Sequence, residues 1–220
     1  MLDLLLPQRC LVCSHPGGNV CEACSSALRR ISLPLCERCG RPTAWPVRTC
    51  AECSGRRLAF VHARAALEYD QPLRQIVAAW KERGLRRLAG WAAEVVVESL
   101  PRPETFCLIP VPGDADRQLR RGHHAAERLA GELAALWELP LEPLLARTRG
   151  SRRQRGLTQR ERRGNVSGAF TTHGRAPARV TVVDDVYTTG ATANAAAAAL
   201  RKAGARRVEI VTFARAIRLR

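Results

Sequence analysis

Val180–Thr192 reads VTVVDDVYTTGAT, and this stretch decides the fold. An apolar run of strand character ends in two adjacent carboxylates, Asp184 and Asp185. A turn of small residues follows, Thr188, Thr189, Gly190, Ala191 and Thr192, and opens into the alanine-rich run that Gly204 closes. A buried strand, a tight turn and a helix in direct succession form a β-loop-α unit, and ligands of α/β sheets bind where such strands end. Backbone N–H groups, hydroxyls and the helix N-terminus can converge there on one phosphate. The two acids would then face ribose hydroxyls or a hydrated magnesium ion. A Walker A loop is excluded, because neither lysine, Lys81 or Lys202, follows a glycine, and no G-x-G-x-x-G is present.

The flanking chain repeats the alternation. His62–Tyr69 reads as a strand, and Asp70 with Pro72 starts a helix running to about Lys81. Leu85–Leu100 reads as an amphipathic helix, and Phe106–Val111 as a short buried strand containing Cys107. His124–Leu136 is a further helix with Ala126, Leu129, Leu133 and Leu136 on one side. Ala193–Ala203 is the helix after the phosphate loop, and Val208–Phe213 is a last strand. Strands alternating with helices predict an α/β fold with a mostly parallel sheet.

The N-terminal part is different. Eight of the nine cysteines form four C-x-x-C pairs: Cys10/Cys13, Cys21/Cys24, Cys36/Cys39 and Cys50/Cys53. Each pair can turn two thiolates toward one ion, and two pairs complete a tetrahedral site. One or two structural Zn2+ ions are expected, either with sequential pairs sharing a metal or with the pairs cross-braced. A small zinc-binding module over residues 1–58 would precede an α/β domain over residues 59–220. A segment with so few large apolar side chains could hardly fold without metal.

The 220 residues carry a net charge of +16, and 34 of the 36 basic residues are arginine. Residues 147–179 hold ten basic residues and one acidic, so the excess is concentrated there. Such a block attracts polyanions. No apolar run approaches the ~20 residues of a membrane span, so no membrane insertion is expected. The N-terminal MLDLLLPQRC lacks the pattern of an export signal, and a cytoplasmic location is expected.

Val180–Thr192 resembles the phosphoribosyl pyrophosphate (PRPP) signature of type I phosphoribosyltransferases. The resemblance implies that Asp184 and Asp185 contact the ribose hydroxyls. The PRPP site would be lined by Val186, Tyr187, Thr188, Thr189, Gly190, Ala191 and Thr192, and the loop's Thr-Thr-Gly-x-Thr would hold the 5′-phosphate. Other stretches resemble the ComF/GntX family, the competence-associated branch of this fold. These are Tyr69–Arg74 with Lys81, Pro110-Val111-Pro112 followed by Arg117, Arg120, Arg121 and Gly122, the run from Arg147 to Phe170, and the cysteine pairs. One departure is His123-His124-Ala125, which stands where the family usually has Phe-Asn-Gln.

On this resemblance the fold is type I phosphoribosyltransferase-like. Val111, Pro112 and Gly113 would begin the loop facing pyrophosphate. The basic stretch Arg147–Arg163 would stand in the place of the catalytic loop, with Asp184, Asp185, Arg147 and Arg149 as the catalytic candidates and Mg2+ accompanying PRPP. The family implies a role in natural transformation, with single-stranded DNA, a ComFA-like helicase and a DprA-like recombination mediator as partners. Arg117, Arg120, Arg121, Arg152, Arg153, Arg155, Arg162 and Arg163 are the candidate DNA contacts. An active phosphoribosyltransferase with an unknown acceptor is the alternative, and a zinc-module adaptor on an inactive fold is a third reading.

Overall fold

The computed structural model describes residues 8–113, 124–148 and 168–217. Four parallel strands form the central sheet in the order β1-β6-β5-β2: β1 Ala63–Glu68, β2 Leu108–Pro110, β5 Arg179–Tyr187 and β6 Arg207–Arg215. An antiparallel pair, β3 Leu145–Arg147 and β4 Phe170–Thr172, stands apart from it. The helices are α1 Glu22–Ala27, α2 Gln71–Glu82, α3 Leu88–Ser99, α4 Ala125–Trp137 and α5 Ala191–Lys202. Among the described residues no helix is long and apolar enough to cross a membrane. The mostly parallel α/β sheet behind a cysteine-rich module is the architecture expected from the sequence.

Both faces of the sheet are covered, which is why β5 and β6 read as near-continuous apolar runs. Val183, Val211 and Phe213 face a core built with α2, α3 and α4. Val180, Val182, Val208 and Ile210 face a second core with α5, Phe60 and the cysteines Cys36, Cys39, Cys50 and Cys53. Alternate residues of one strand thus serve opposite cores. In the first core the Phe213 ring meets Trp80 at 6.1 Å and Trp91 at 5.5 Å, both edge-on.

Local signals explain the helices that position the site. The Asp70 carboxylate accepts from Leu73 N at 3.2 Å and, with Pro72, starts α2. Gly190 has φ +72° and caps α5, and Gly204 closes that helix at φ +110°. The cysteine-rich module protects the free edge of β1. Ile31 N donates to Ala66 O, Glu68 N to Arg29 O and Ala63 N to Arg38 O.

Three expectations need correction. The strand read over Phe106–Val111 begins only at Leu108, so Phe106 lies outside it and is 52% exposed. Leu136 is also exposed, at 49%, and Trp137 takes the buried position one residue on, because the apolar stripe of α4 continues from Leu133 at i+4. The strand carrying the carboxylates runs on to Tyr187, so Asp184 and Asp185 lie within it rather than at its end. The β3–β4 pair was not read from the sequence at all.

Candidate functional site

The cysteines form two sets in sequential order, Cys10/Cys13/Cys21/Cys24 and Cys36/Cys39/Cys50/Cys53, each with its sulfurs within 4.8 Å of one another. The cross-braced alternative is thereby set aside. Cys13 Sγ lies 3.7 Å from Cys21 Sγ, and Cys39 Sγ lies 3.6 Å from Cys50 Sγ. A tetrahedron with Zn–S bonds of about 2.3 Å has edges of about 3.8 Å. These separations fit that edge and are far longer than the ~2.05 Å of a disulfide. Backbone N–H groups support the thiolates: Val12 N and Cys21 N donate to Cys10 Sγ at 3.5 Å, and Cys50 N donates to Cys36 Sγ at 3.3 Å. Both sets fit structural Zn2+, whose contribution would be to fold the module around them.

The second candidate site lies where β5 passes into α5. Asp184 and Asp185 sit on β5, with Asp184 level with Thr212 of β6. Asp185 N donates to Asp184 Oδ1 at 2.9 Å. Lys81, in the last turn of α2, places Nζ 2.7 Å from Asp185 Oδ2. Burial and the neighbouring Asp185 charge push the Asp184 carboxyl up to about 7, while Lys81 and Arg147 act in the opposite sense.

The loop after the acids is shaped by one close approach. A Cβ on Gly190 would overlap the Tyr187 phenol, and its φ lies in the left-handed region, so glycine is required twice over. Tyr187 is itself buried, edge-on to Phe60 at 6.5 Å and beneath Arg215, whose Cζ stands 4.5 Å from the ring centroid. Burial raises its phenol to about 12, so it stays protonated. Above this wall Thr188 and Thr189 are exposed, and Thr189 Oγ1 accepts from Ala191 N at 3.3 Å. Ala191 and Thr192 begin α5, a helix long enough to present a dipole to an anion.

β2 brings a second loop alongside. Val111 is buried, and its N–H donates to Val183 O at 2.9 Å. Pro112 O accepts from Arg147 Nε at 3.1 Å, and the Arg147 guanidinium stacks 5.0 Å over the Phe170 ring. Gly113 leaves the room that the His124 ring occupies, since a Cβ there would overlap it. The structure thus brings Asp184, Asp185, Val111–Gly113, Arg147 and the Val186–Thr192 loop toward one end of the sheet. Arg149, Arg117, Arg120, Arg121, Arg152, Arg153, Arg155, Arg162 and Arg163 lie outside the described residues, as does His123.

Two residues that sequence reasoning did not place at a site matter here. Lys81 had a signal in the family resemblance it shares with Tyr69–Arg74, which gave it no role. Arg215 had none. It is 1% exposed, donates to Cys39 O at 2.6 Å, Cys39 Sγ at 3.4 Å and Glu52 Oε2 at 2.9 Å, and so joins the end of β6 to the second cysteine set.

Comparison with known proteins bears on the cysteine-rich module and on the family. Residues 1–54 match the double zinc ribbon domain model. Competence protein F of Haemophilus influenzae is 30% identical over 225 residues, covering 93% of this chain and 96% of that protein. Competence protein ComFC of Streptococcus pneumoniae is 27% identical, covering 93% and 91%. DNA utilization protein YhgH of Salmonella typhi is 26% identical, covering 97% and 100%. Among solved structures, a purine phosphoribosyltransferase from Pyrococcus horikoshii aligns with 62% of this chain and 85% of its own, at 18% identity and a TM-score of 0.34. With a double zinc ribbon leading into a parallel α/β sheet, and with similarity running through nearly the whole of both chains, the protein belongs to the competence protein F family.

Proposed function

We propose that this protein handles single-stranded DNA in natural transformation and binds magnesium-PRPP at the β5–α5 loop. The observation that carries the PRPP reading is the Asp184–Asp185 pair, countered by Lys81 on one oxygen and leading into a glycine-capped helix N-terminus. A carboxyl held near 7 by desolvation and by a neighbouring carboxylate marks a place where a divalent cation or ribose hydroxyls would be welcome. The 5′-phosphate would sit on the N–H groups and hydroxyls of Thr188–Thr192, and the acids would take the ribose hydroxyls. Mg2+ bound with PRPP would supply charge for the pyrophosphate. The DNA role is motivated by the names of the relatives and by the net charge of +16. A cytoplasmic protein working beside a competence helicase and a recombination mediator fits the same reading.

The test is calorimetric titration of PRPP with and without magnesium. Wild-type chain is expected to bind only with magnesium, and Asp184→Asn and Asp185→Asn are expected to lose binding with zinc content unchanged. Binding that survives both substitutions refutes the site.

The second reading, an active phosphoribosyltransferase, is favoured by Arg147, which Pro112 O and the Phe170 ring hold beside the acids. Its cation would stabilise a departing pyrophosphate as the ribose passes through an oxocarbenium-like state. Magnesium-dependent release of pyrophosphate in the presence of an acceptor would distinguish this from binding alone.

A further inference from the structure

The opposite end of the sheet carries a different surface. A cleft of about 560 Å3 opens beside the start of β1, between the second ribbon and the sheet, and Arg38, Arg48 and Arg64 line it. A cleft of about 350 Å3 opens where β6 and β5 begin, lined by Arg175 and Arg206. Among the described residues, Glu37 is the one carboxylate lining either. Among the described residues none of these five arginines forms an ion pair. Arg64 Nη1 donates instead to Glu37 O at 3.0 Å and Ala63 O at 2.8 Å, and Arg38 Nη2 to Leu58 O at 3.0 Å. Carbonyls aim the Arg38 and Arg64 guanidiniums, and Arg64 also feels Cys36, Cys39, Glu209 and Glu37. Arg48, Arg175 and Arg206 are exposed, so their N–H donors can meet an anion. Glu209, close by, is already engaged by Arg207 at 2.6 Å and His62 at 3.5 Å.

The edge also presents an aromatic group. Phe106, just ahead of β2, is 52% exposed, and Arg179 Cζ lies 4.8 Å from its ring centroid. Trp45, three residues from Arg48 in the same ribbon, is 68% exposed. Sheet order places the first cleft, the second cleft and Phe106 in succession across β1, β6, β5 and β2. With strands about 4.8 Å apart, the four span about 14 Å. One phosphate cannot occupy that length, whereas a run of phosphates can. Basic grooves combined with stacking aromatics are how proteins hold single strands without reading sequence.

We propose that the edge where these strands begin is a track for the sugar-phosphate backbone of single-stranded nucleic acid, with Phe106 stacking on a base. This rests on the DNA-handling reading above but puts the contacts on residues other than Arg117–Arg163. Arg179 and Asp184 are five residues apart on one strand, about 17 Å. The track and the β5–α5 loop can therefore be occupied together.

Fluorescence anisotropy of a labelled oligothymidylate of about twenty nucleotides, longer than a usual single-strand site, tests this on the full chain. The variant Arg48→Gln/Arg175→Gln/Arg206→Gln changes exposed side chains, and its zinc content and melting should match wild type. Each lost phosphate contact removes about 0.7 from the log-log salt slope. The triple variant is expected to lose about 2 in slope and roughly 100-fold in affinity at about 0.1 M salt. Phe106→Ala is expected to cost roughly 5- to 150-fold with the slope unchanged. Inorganic phosphate at matched ionic strength is expected not to displace the strand, and displacement would point to a small-anion site and overturn the proposal. If wild type binds and the triple variant binds equally with the same slope, the track is wrong while the DNA-handling reading stands. If wild type does not bind at all, both fall.

Discussion

Asp184→Asn separates the energetic cost of the acidic pair from its use. In the folded chain desolvation and the neighbouring Asp185 charge push the Asp184 carboxyl, which is partly exposed, from 3.8 up to about 7. A carboxyl with a raised folded pKa costs nothing below the unfolded value, and its cost builds as pH rises toward the folded one and levels off above it. Each pH unit across that window is worth about 1.4 kcal/mol, so the cost is about 1–2 kcal/mol at pH ~5 and about 4 kcal/mol at pH ~8. Asparagine is nearly isosteric and can still accept from Asp185 N through Oδ1, the bond seen at 2.9 Å. It does not ionise. Relative to wild type, Asp184→Asn should therefore gain about 2–3 kcal/mol between pH ~5 and ~8, or roughly 5–10 °C in Tm for a chain of this size. Thermal melts at the two pH values measure this. The same variant should lose magnesium-dependent PRPP binding, so stability rises where function falls. An Asp184→Asn advantage that does not grow with pH would refute the crowded-carboxylate argument.

Three further outcomes follow from the geometry. Gly190→Ala forces a Cβ into the Tyr187 phenol at a left-handed φ and should destabilise by about 2–4 kcal/mol, measured by denaturant melts. Arg215→Met removes the donors to Cys39 and Glu52 and should cost about 3–5 kcal/mol, with the second ribbon loosened in hydrogen exchange at residues 36–53. Chelation should release two zinc ions per chain and unfold residues 8–54; metal analysis and far-ultraviolet circular dichroism would show it, and unchanged structure after full removal would contradict the two-ribbon assignment.

What was readable in the sequence was local and dense. Strand β5, its turn and α5 are consecutive, and each residue type states its own geometry: valines for burial, Gly190 for the left-handed cap, alanines for the helix. Asp70 and Pro72 announced α2 in the same way. The cysteine pairs announced zinc but not their partners, because either pairing satisfies the spacing, and only the three-dimensional grouping decided it. What escaped was long-range or short. Lys81 reaches Asp185 across 104 positions, and Arg215 reaches Cys39 across 176. The strands Leu145–Arg147 and Phe170–Thr172 are three residues each, too short for a period-two pattern. Phe106 looked buried because it precedes an apolar run. Its exposure depends on where β2 begins, and no residue type in that run marks the start.

The central claim is that the end of the sheet carrying Asp184 and Asp185 receives PRPP. A crystal structure of the chain grown with magnesium and PRPP tests it most directly. The account predicts the 5′-phosphate against the N–H groups of Thr188–Thr192, the ribose hydroxyls on Asp184 and Asp185, and the pyrophosphate facing Val111–Gly113. PRPP bound elsewhere on the chain, or a β5–α5 loop still empty at saturating ligand, would contradict it.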